Sequence, residues 1–506
     1  MSGRRCDAAA LVRGVLPDEC RPLALHWIDG SWRRSEPGDV FVTVDPTTAQ
    51  PLYEVASGGE ADVAQAVAAA QRAQPLWWRL DGQDRARVLR RVAEAIRAHG
   101  EALGLLDTLD AGRPIRDTRL RDTERAARLF EYFAGTTDRL RGANIPVQPG
   151  RSNVTALEPY GVVGCIVPWN YPLTNAAVKI APALATGNAV VLKPAEEAPL
   201  SALLLARVAE SAGLPAGLLN VVNGPGSITG EALVRADGVS KLAFTGSTEV
   251  GRRIAAICGE SLKPVTLELG GKTAFVVFAD ADLGRAADAL VFSAFSNNGQ
   301  TCTAASRLLL DRRIADHFLE LALDRIAKVT IGDPLDPETT IGPLISQRHL
   351  RRVQGYIEDG LRAGARMIEP RVEQPTLAGY FQRPVVFRDV RADMRIAREE
   401  IFGPVLSVIE FGEEDEAVAT ANDSPYGLAA TIWTADIARA QRLGRSLQAG
   451  LLWINTVHSL HPGSPYGGFK QSGLGAEMGE EAVRQLMKVK SLWVEENWQS
   501  PWECRI

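Results

Sequence analysis

The chain has 506 residues, 46% hydrophobic and 23% charged, the balance of a soluble globular protein with too much sequence for one ordinary core, so two or three domains are expected. Lysine plus arginine total 56 against 61 for aspartate plus glutamate, and the net charge of −5 excludes a global field for nucleic acid or an anionic membrane; a small-molecule partner is favoured. The six cysteines (Cys6, Cys20, Cys165, Cys258, Cys302 and Cys504) have neither disulfide-scaffold density nor a CxxC pair with metal-ligand spacing, so a reducing compartment and no metal site are expected.

At the N-terminus, the apolar stretch after Arg4 and Arg5 is short and is broken by Arg13, Asp18 and Glu19, so no signal peptide is expected. No run of 18 apolar residues follows anywhere, and the cytoplasm is the expected location. In "RARVLRRVAEAIRAHGEALGLL", Val88, Leu89, Val92, Ala93 and Ile96 share one face with arginines opposite, which predicts an amphipathic helix packed on a sheet. From about residue 160 the runs "VVGCIV", "NAVVLKP", "LLNVVNG", "KLAFTG" and "PVTLELG" alternate with helical patterns, the signature of right-handed βαβ units and a parallel sheet. After Gly271 a second series, "TAFVVF", "SRLLLD", "PVLSVIEF", "AATIWT" and "LLWINT", predicts a second α/β domain. Its first helix, "LGRAADALVFSAFSNNG", leads into the loop bearing Cys302, which places that thiol near the junction of the two domains, where ligand sites tend to form.

Several stretches carry candidate chemistry. "VPWNYP" sets Asn170 just beyond the first strand, as a turn residue or as an amide donor to a developing oxyanion. "VVLKPAEEAP" places Lys193 and Glu196 at a strand's carboxyl end, where a carboxylate can accept hydrogen bonds from a ribose diol and so favour NAD over NADP. "NGPGSITG" offers Gly224, Gly226 and Gly230 in a GxGxxxG spacing, either a tight turn or a phosphate cradle. In "FTGSTEVG", Gly246 precedes a helix opened by Ser247 and Thr248, an N-cap that also suits pyrophosphate. "ELGGKTAF" imitates the end of a P-loop, but Thr266 stands where that motif needs glycine; its useful residue is Glu268, a strand-end carboxylate suited to a general base or simply solvated. In "FSNNGQTCTAASRLLL", small polar residues and a glycine surround Cys302, which suggests an exposed, loop-borne thiol where a core cysteine would sit among apolar neighbours.

Together "PWNYP", "FTGS", "LELGGK", "GQTC", "EEIFGPV" and "PYGGFKQSG" occur in the order found in the aldehyde dehydrogenase superfamily, which the chain resembles over roughly residues 25 to 495. The resemblance implies oxidation of an aldehyde to a carboxylate with NAD, NADP staying open. Cys302 would be the nucleophile, Asn170 with the Cys302 backbone N–H the oxyanion donors, Glu268 the base that activates the hydrolytic water, and Lys179 a supporting lysine. Ile166, Val167, Pro168, Trp169, Lys193 and Glu196 fall where that family binds its dinucleotide. So do Gly226, Gly230, Phe244, Gly246 and Ser247, together with Leu269, Gly270, Glu400 and Phe402.

The implied fold is α/β, with a Rossmann-like dinucleotide-binding domain (22–141 and 161–269), a catalytic domain (270–476) and a β oligomerisation arm (142–160 and 477–500), after an N-terminal extension (1–21). Such an arm leads us to expect a homodimer or homotetramer. For the substrate pocket, Tyr171, Thr301, Thr303, His458 and Tyr466 are candidates, with His461 in a variable loop. No arginine or lysine stands between Asn455 and Tyr466 or beside Cys302 in sequence, which argues against a carboxylate-bearing semialdehyde, and Tyr466 and Trp453 suit an apolar, aromatic or cationic aldehyde. The tail "NWQSPWECRI" faintly resembles those of amino-aldehyde and betaine-aldehyde oxidising members. Two alternatives stand beside the hydrolytic enzyme: a CoA-acylating one, against which Glu268 counts, and a catalytically silent member with a binding or structural role.

Overall fold

The five apolar runs between residues 160 and 270 pair side by side in one sheet. Val162–Ile166 lies at the centre, with Ala189–Lys193 and Leu219–Val221 on one side and Lys241–Thr245 and Val265–Glu268 on the other, all parallel. Every residue of Val162–Ile166 and Ala189–Lys193 is buried, as a strand covered on both faces requires. Short antiparallel strands finish the edges, Gly473–Leu474 beside Val265–Glu268 and His26–Ile28 with Ser31–Arg33 beside Leu219–Val221. Because the chain runs outward from Val162–Ile166 in both directions, a crevice opens beyond Ile166 and Thr245, the switch point at which open α/β sheets bind ligands. The structure, a computed structural model, describes residues 7–21, 23–496, 498 and 502, so Cys6, Cys504 and most of the C-terminal tail fall outside the described residues.

Four residues, 269–272, lead from Val265–Glu268 into a second sheet. Its order is Arg366–Ile368, Val385–Arg388, Val405–Phe411, Ala305–Asp311, Thr273–Val277, Ala429–Trp433, Leu451–Ile454, parallel throughout except for the first strand. The helix Leu283–Phe295 follows the first strand of this series and ends in a short turn, Ser296–Gly299, directly before the Cys302 loop. A third, antiparallel sheet joins Arg151–Pro159 to Met487–Glu495 over nine residue pairs, with Asn144–Ile145 on its outer edge.

Two features depart from the sequence reading. The amphipathic helix forms as Gly82–Ala98 and buries Val88, Leu89, Val92, Ala93 and Ile96, but its chief partner is the helix Thr123–Ala134, and it reaches the first sheet through the helix Leu200–Ser211. The crossover helices already cover the parallel strands, so an amphipathic helix added upstream packs as an outer layer. A small sheet of Leu23–Ala24, Gln50–Ala56 and Val40–Asp45 also precedes it, where the sequence reading named no strands. Among the described residues no helix is long and apolar enough to cross a membrane.

Candidate active site

Cys302 sits in the wall of a cleft of about 1030 Å³ that runs from the switch point of the first sheet to the helix Thr123–Ala134. Its loop is shaped by Asn297, Asn298 and Gly299, three consecutive residues with φ of 51°, 55° and 71°, a run that asparagine and glycine tolerate best. Side chains then pin it: Asn298 Nδ2 donates to the Gly342 carbonyl at 3.0 Å, and Gln300 Oε1 accepts from the Ile345 N–H at 2.9 Å. Gly271 lies so close beneath that a Cβ there would overlap the Cys302 carbonyl oxygen. The thiol expected to be exposed is therefore half-buried inside the cleft, held from below by the other sheet's connection.

Burial pushes the Cys302 thiol up to about 12; the Tyr466 hydroxyl, 3.0 Å from Sγ, works against that rise, and Glu400 and Glu268 reinforce it. Tyr466 is itself pushed well above its ordinary range by burial and by Cys302, so it keeps its proton and can donate to the sulfur once that is charged. Glu268, 3% exposed, opens into the same cleft, and neither of its carboxyl oxygens has a hydrogen-bond partner. Burial holds it well above the usual carboxylate range, repulsion from Glu477 adds to this, and Lys179 opposes it. Desolvating an unpaired carboxylate costs on the order of several kcal/mol, more than one neighbouring lysine returns, because Lys179 is already paired with Glu477. Glu268 is thus not the solvated strand-end residue, and burial favours its acid form beyond that of an ordinary carboxylate.

Asn170, 5% exposed, follows the central strand and faces the same cleft. Its Nδ2 donates to the Gln300 carbonyl at 3.0 Å, which uses one of its two amide hydrogens, while Asn175 Nδ2 donates to its Oδ1 at 3.2 Å and fixes the amide's orientation. The Asn170 carbonyl accepts from Asn297 at 2.9 Å and from Arg113 at 3.2 Å. Arg113 in turn is buried with Asp122, at 3.0 Å from Nε to Oδ2, and stacks 3.8 Å over the Tyr171 ring. Tyr171 Oη lies 2.9 Å from Thr301 Oγ1. Arg113, Asn297 and Glu477 escaped the sequence reading; only the Asn-Asn-Gly run carried a local signal, that of left-handed backbone.

At the other end of the cleft the geometry fits a dinucleotide. Glu196 Oε2 accepts from Lys193 Nζ at 3.3 Å and from the Gly226 N–H at 2.9 Å. Gly246, Ser247 and Val250 face the cleft, with Ser247 capping the helix Thr248–Glu260 through a 3.3 Å bond from the Val250 N–H. Glu400 is half-buried with the Gly271 N–H as a donor at 3.1 Å, and desolvation raises it to about 7. A Cβ at Gly270 would overlap that carboxylate, so the glycine keeps backbone and carboxylate together at the cleft wall. Trp169 and Phe402 meet edge to face, 5.4 Å between ring centres, and Ile166, Val167, Pro168, Phe244 and Leu269 also line the space. The glycine-rich turn resolves toward its simpler reading. The amides of Ile228, Thr229 and Gly230 bond back to Pro225 and that of Gly226 goes to Glu196, so four of its donors are spent although Gly226 and Gly230 line the cleft.

The absence of basic residues near Cys302 in sequence does not hold in space. Asp117, Arg121, Arg125 and Leu129, spaced by four, all line the cleft. His458 is not a surface residue: its Nε2 lies 3.1 Å from Ser293 Oγ, it adjoins Phe292 and Trp453, and burial lowers it to about 4, so it is neutral near pH 7. Thr303 is buried next to it, and His461 lies against Tyr132.

Comparison with known proteins gives a consistent result. Residues 32–492 match the model of the Aldehyde dehydrogenase family. A crystal structure from Burkholderia cenocepacia superposes with a TM-score of 0.93 at 43% identity over 95% of this chain and 99% of that one. PnpE, from Pseudomonas sp. WBC-3, in complex with nicotinamide adenine dinucleotide, gives 0.93 at 40% identity over 96% and 100%. An NAD-dependent aldehyde dehydrogenase from Sinorhizobium meliloti gives 0.94 at 37% identity over 97% of each chain.

Two expected outcomes follow from the geometry. With a thiol raised to about 12, the thiolate fraction near neutrality grows about tenfold per pH unit, so alkylation of Cys302 in the cofactor-free protein, mapped by peptide mass spectrometry, should rise by about 100-fold from pH 7 to 9; a plateau below pH 8 would contradict it. Gly271→Ala should displace the Cys302 loop and lower kcat by about 100-fold, the order seen when a reacting group moves by ~1 Å. A near-wild-type kcat would show that the loop yields.

Proposed function

The chain belongs to the aldehyde dehydrogenase family, and from that premise we propose that it oxidises an aldehyde to the carboxylic acid with NAD, through a Cys302 thioester hydrolysed by water. The observation that carries this reading is that Cys302, Glu268 and Asn170 open into one cleft whose far end fits a dinucleotide. Sγ, as thiolate, attacks the carbonyl carbon, with the thiol proton passing to solvent and the Tyr466 hydroxyl stabilising the charged sulfur. The resulting alkoxide is met by the second Asn170 amide hydrogen and the Cys302 N–H, donors held in place before charge develops. NAD, when bound, accepts the hydride that leaves the substrate carbon. Glu196 and Lys193 would hold one ribose, Gly246 and Ser247 the pyrophosphate, and Glu400 the other ribose, with Trp169 and Phe402 beside the ring. Glu196 would repel a 2′-phosphate, which favours NAD over NADP. Glu268, once deprotonated, takes a proton from the water that attacks the thioester, and Lys179 with Glu477 behind it sets the local charge.

The three-stranded sheet supports assembly. Val489, Trp493 and Val494 are 69%, 63% and 58% exposed on the Met487–Glu495 strand, and a homodimer or homotetramer would cover them. On this reading Trp493→Glu lowers the mass measured by light scattering to that of a smaller species, and an unchanged mass places the interface elsewhere.

The test of the reaction is NADH formation without CoA across a panel of aldehydes. Cys302→Ala should abolish it, and Glu268→Gln should lower steady-state kcat by about 10²–10⁴-fold. Because Glu268 sits above the ordinary carboxylate range, its basic form is lost as pH falls, so kcat should decline on the acid side from neutrality in the wild type and lose that limb in Glu268→Gln. Turnover that appeared only with CoA would replace hydrolysis with acyl transfer to a thiol.

A further inference from the structure

The basic side chains along the cleft, away from the dinucleotide end, are not equally partnered. Arg113 is matched by Asp122, Lys179 by Glu477, and Arg121 by Asp117 at 3.3 Å. Burial raises Asp117, which weakens its hold on Arg121. Arg125 lines the cleft half-buried, and among the described residues its guanidinium has no carboxylate, carbonyl or ring partner. It lies close enough to His458 to depress that imidazole, and His458 bonds the Thr303 backbone, one residue from the thiol. Between them the walls are Phe292, Val457 and Leu460, which suit a short hydrocarbon chain. A half-buried guanidinium forgoes part of its hydration, and a bidentate anion is the ligand that best repays it.

We infer that the aldehyde oxidised here carries a second group, a carboxylate, held by Arg125 with Arg121 at the end of the cleft remote from the dinucleotide. The inference rests on the aldehyde-oxidising reading above and names its substrate class: an ω-carboxylated aldehyde, the half-oxidised form of a dicarboxylic acid. A cationic aldehyde is disfavoured by the same two arginines.

The experiment compares kcat/KM, at saturating NAD, for succinic, glutaric and adipic semialdehydes with that for butanal, pentanal and hexanal. At least one carboxylated member should exceed its unsubstituted counterpart by about tenfold or more, the order expected of a charge-assisted pair. Arg125→Gln should erase that ratio through KM more than kcat, and Arg125→Lys should recover part of it. Arg121→Gln, at an exposed position, should lower the same ratio and serves if Arg125→Gln does not fold. Carboxylated aldehydes used no better than their counterparts, or a ratio indifferent to Arg125→Gln, would overturn the inference while leaving aldehyde oxidation intact. If neither series is oxidised, the aldehyde-oxidising reading itself fails and takes the inference with it.

Discussion

The contact between Gly271 and the Cys302 carbonyl joins two sheets that otherwise carry separate halves of the site. Val265–Glu268 ends the path through the first sheet with a carboxylate, and four residues later Thr273–Val277 begins the second, whose next strand is preceded by the Cys302 loop. That short connection is itself tied down: the Leu269 N–H donates to the Ser472 carbonyl at 2.8 Å, Ser472 Oγ donates to the Gly270 carbonyl at 2.6 Å, and the Gly271 N–H goes to Glu400. One four-residue seam thus fixes the Cys302 thiol and the Glu268 and Glu400 carboxylates relative to one another. Side chains on either glycine would force them apart, which is why geometry and chemistry depend on the same two positions.

Dryness is the second constraint, and it acts on all the reacting groups at once. Burial in the cleft raises both Cys302 and Glu268, which favours their uncharged forms where two negative charges would repel. Reactivity is then created by proton movement within the site, with Tyr466 ready to donate to the sulfur and Asn170 already oriented by Asn175. The low dielectric that makes resting charges costly also strengthens those donors when charge appears.

The sequence was legible where a single segment carried the information. Apolar runs announced the five parallel strands of the first sheet and all of the second sheet's but Val385–Arg388, and Cys302, Glu268 and Asn170 each stand at a strand end or loop where local context marks them. Legibility failed for properties that arise only from juxtaposition. Arg121 and Arg125 lie some 180 residues before Cys302, so a search for basic residues beside the thiol in sequence missed them. His458, a pocket candidate from the sequence, does line the cleft, but its contacts with Phe292 and Ser293 come from a distant helix and were not readable locally. The glycine-rich turn suggested a phosphate cradle by spacing, yet hydrogen bonds within the turn and to Glu196 consume its amides.

The central claim is that Cys302 holds the substrate as a thioester that Glu268 releases. Rapid acid quenching of Glu268→Gln mixed with NAD and an oxidised aldehyde, followed by peptide mass spectrometry, reads that species directly. The account predicts an acyl group, two hydrogens lighter than the aldehyde adduct, on the peptide bearing Cys302 and far more abundant than in the wild type. An unmodified Cys302 peptide during turnover, or an acyl group on another residue, would contradict it.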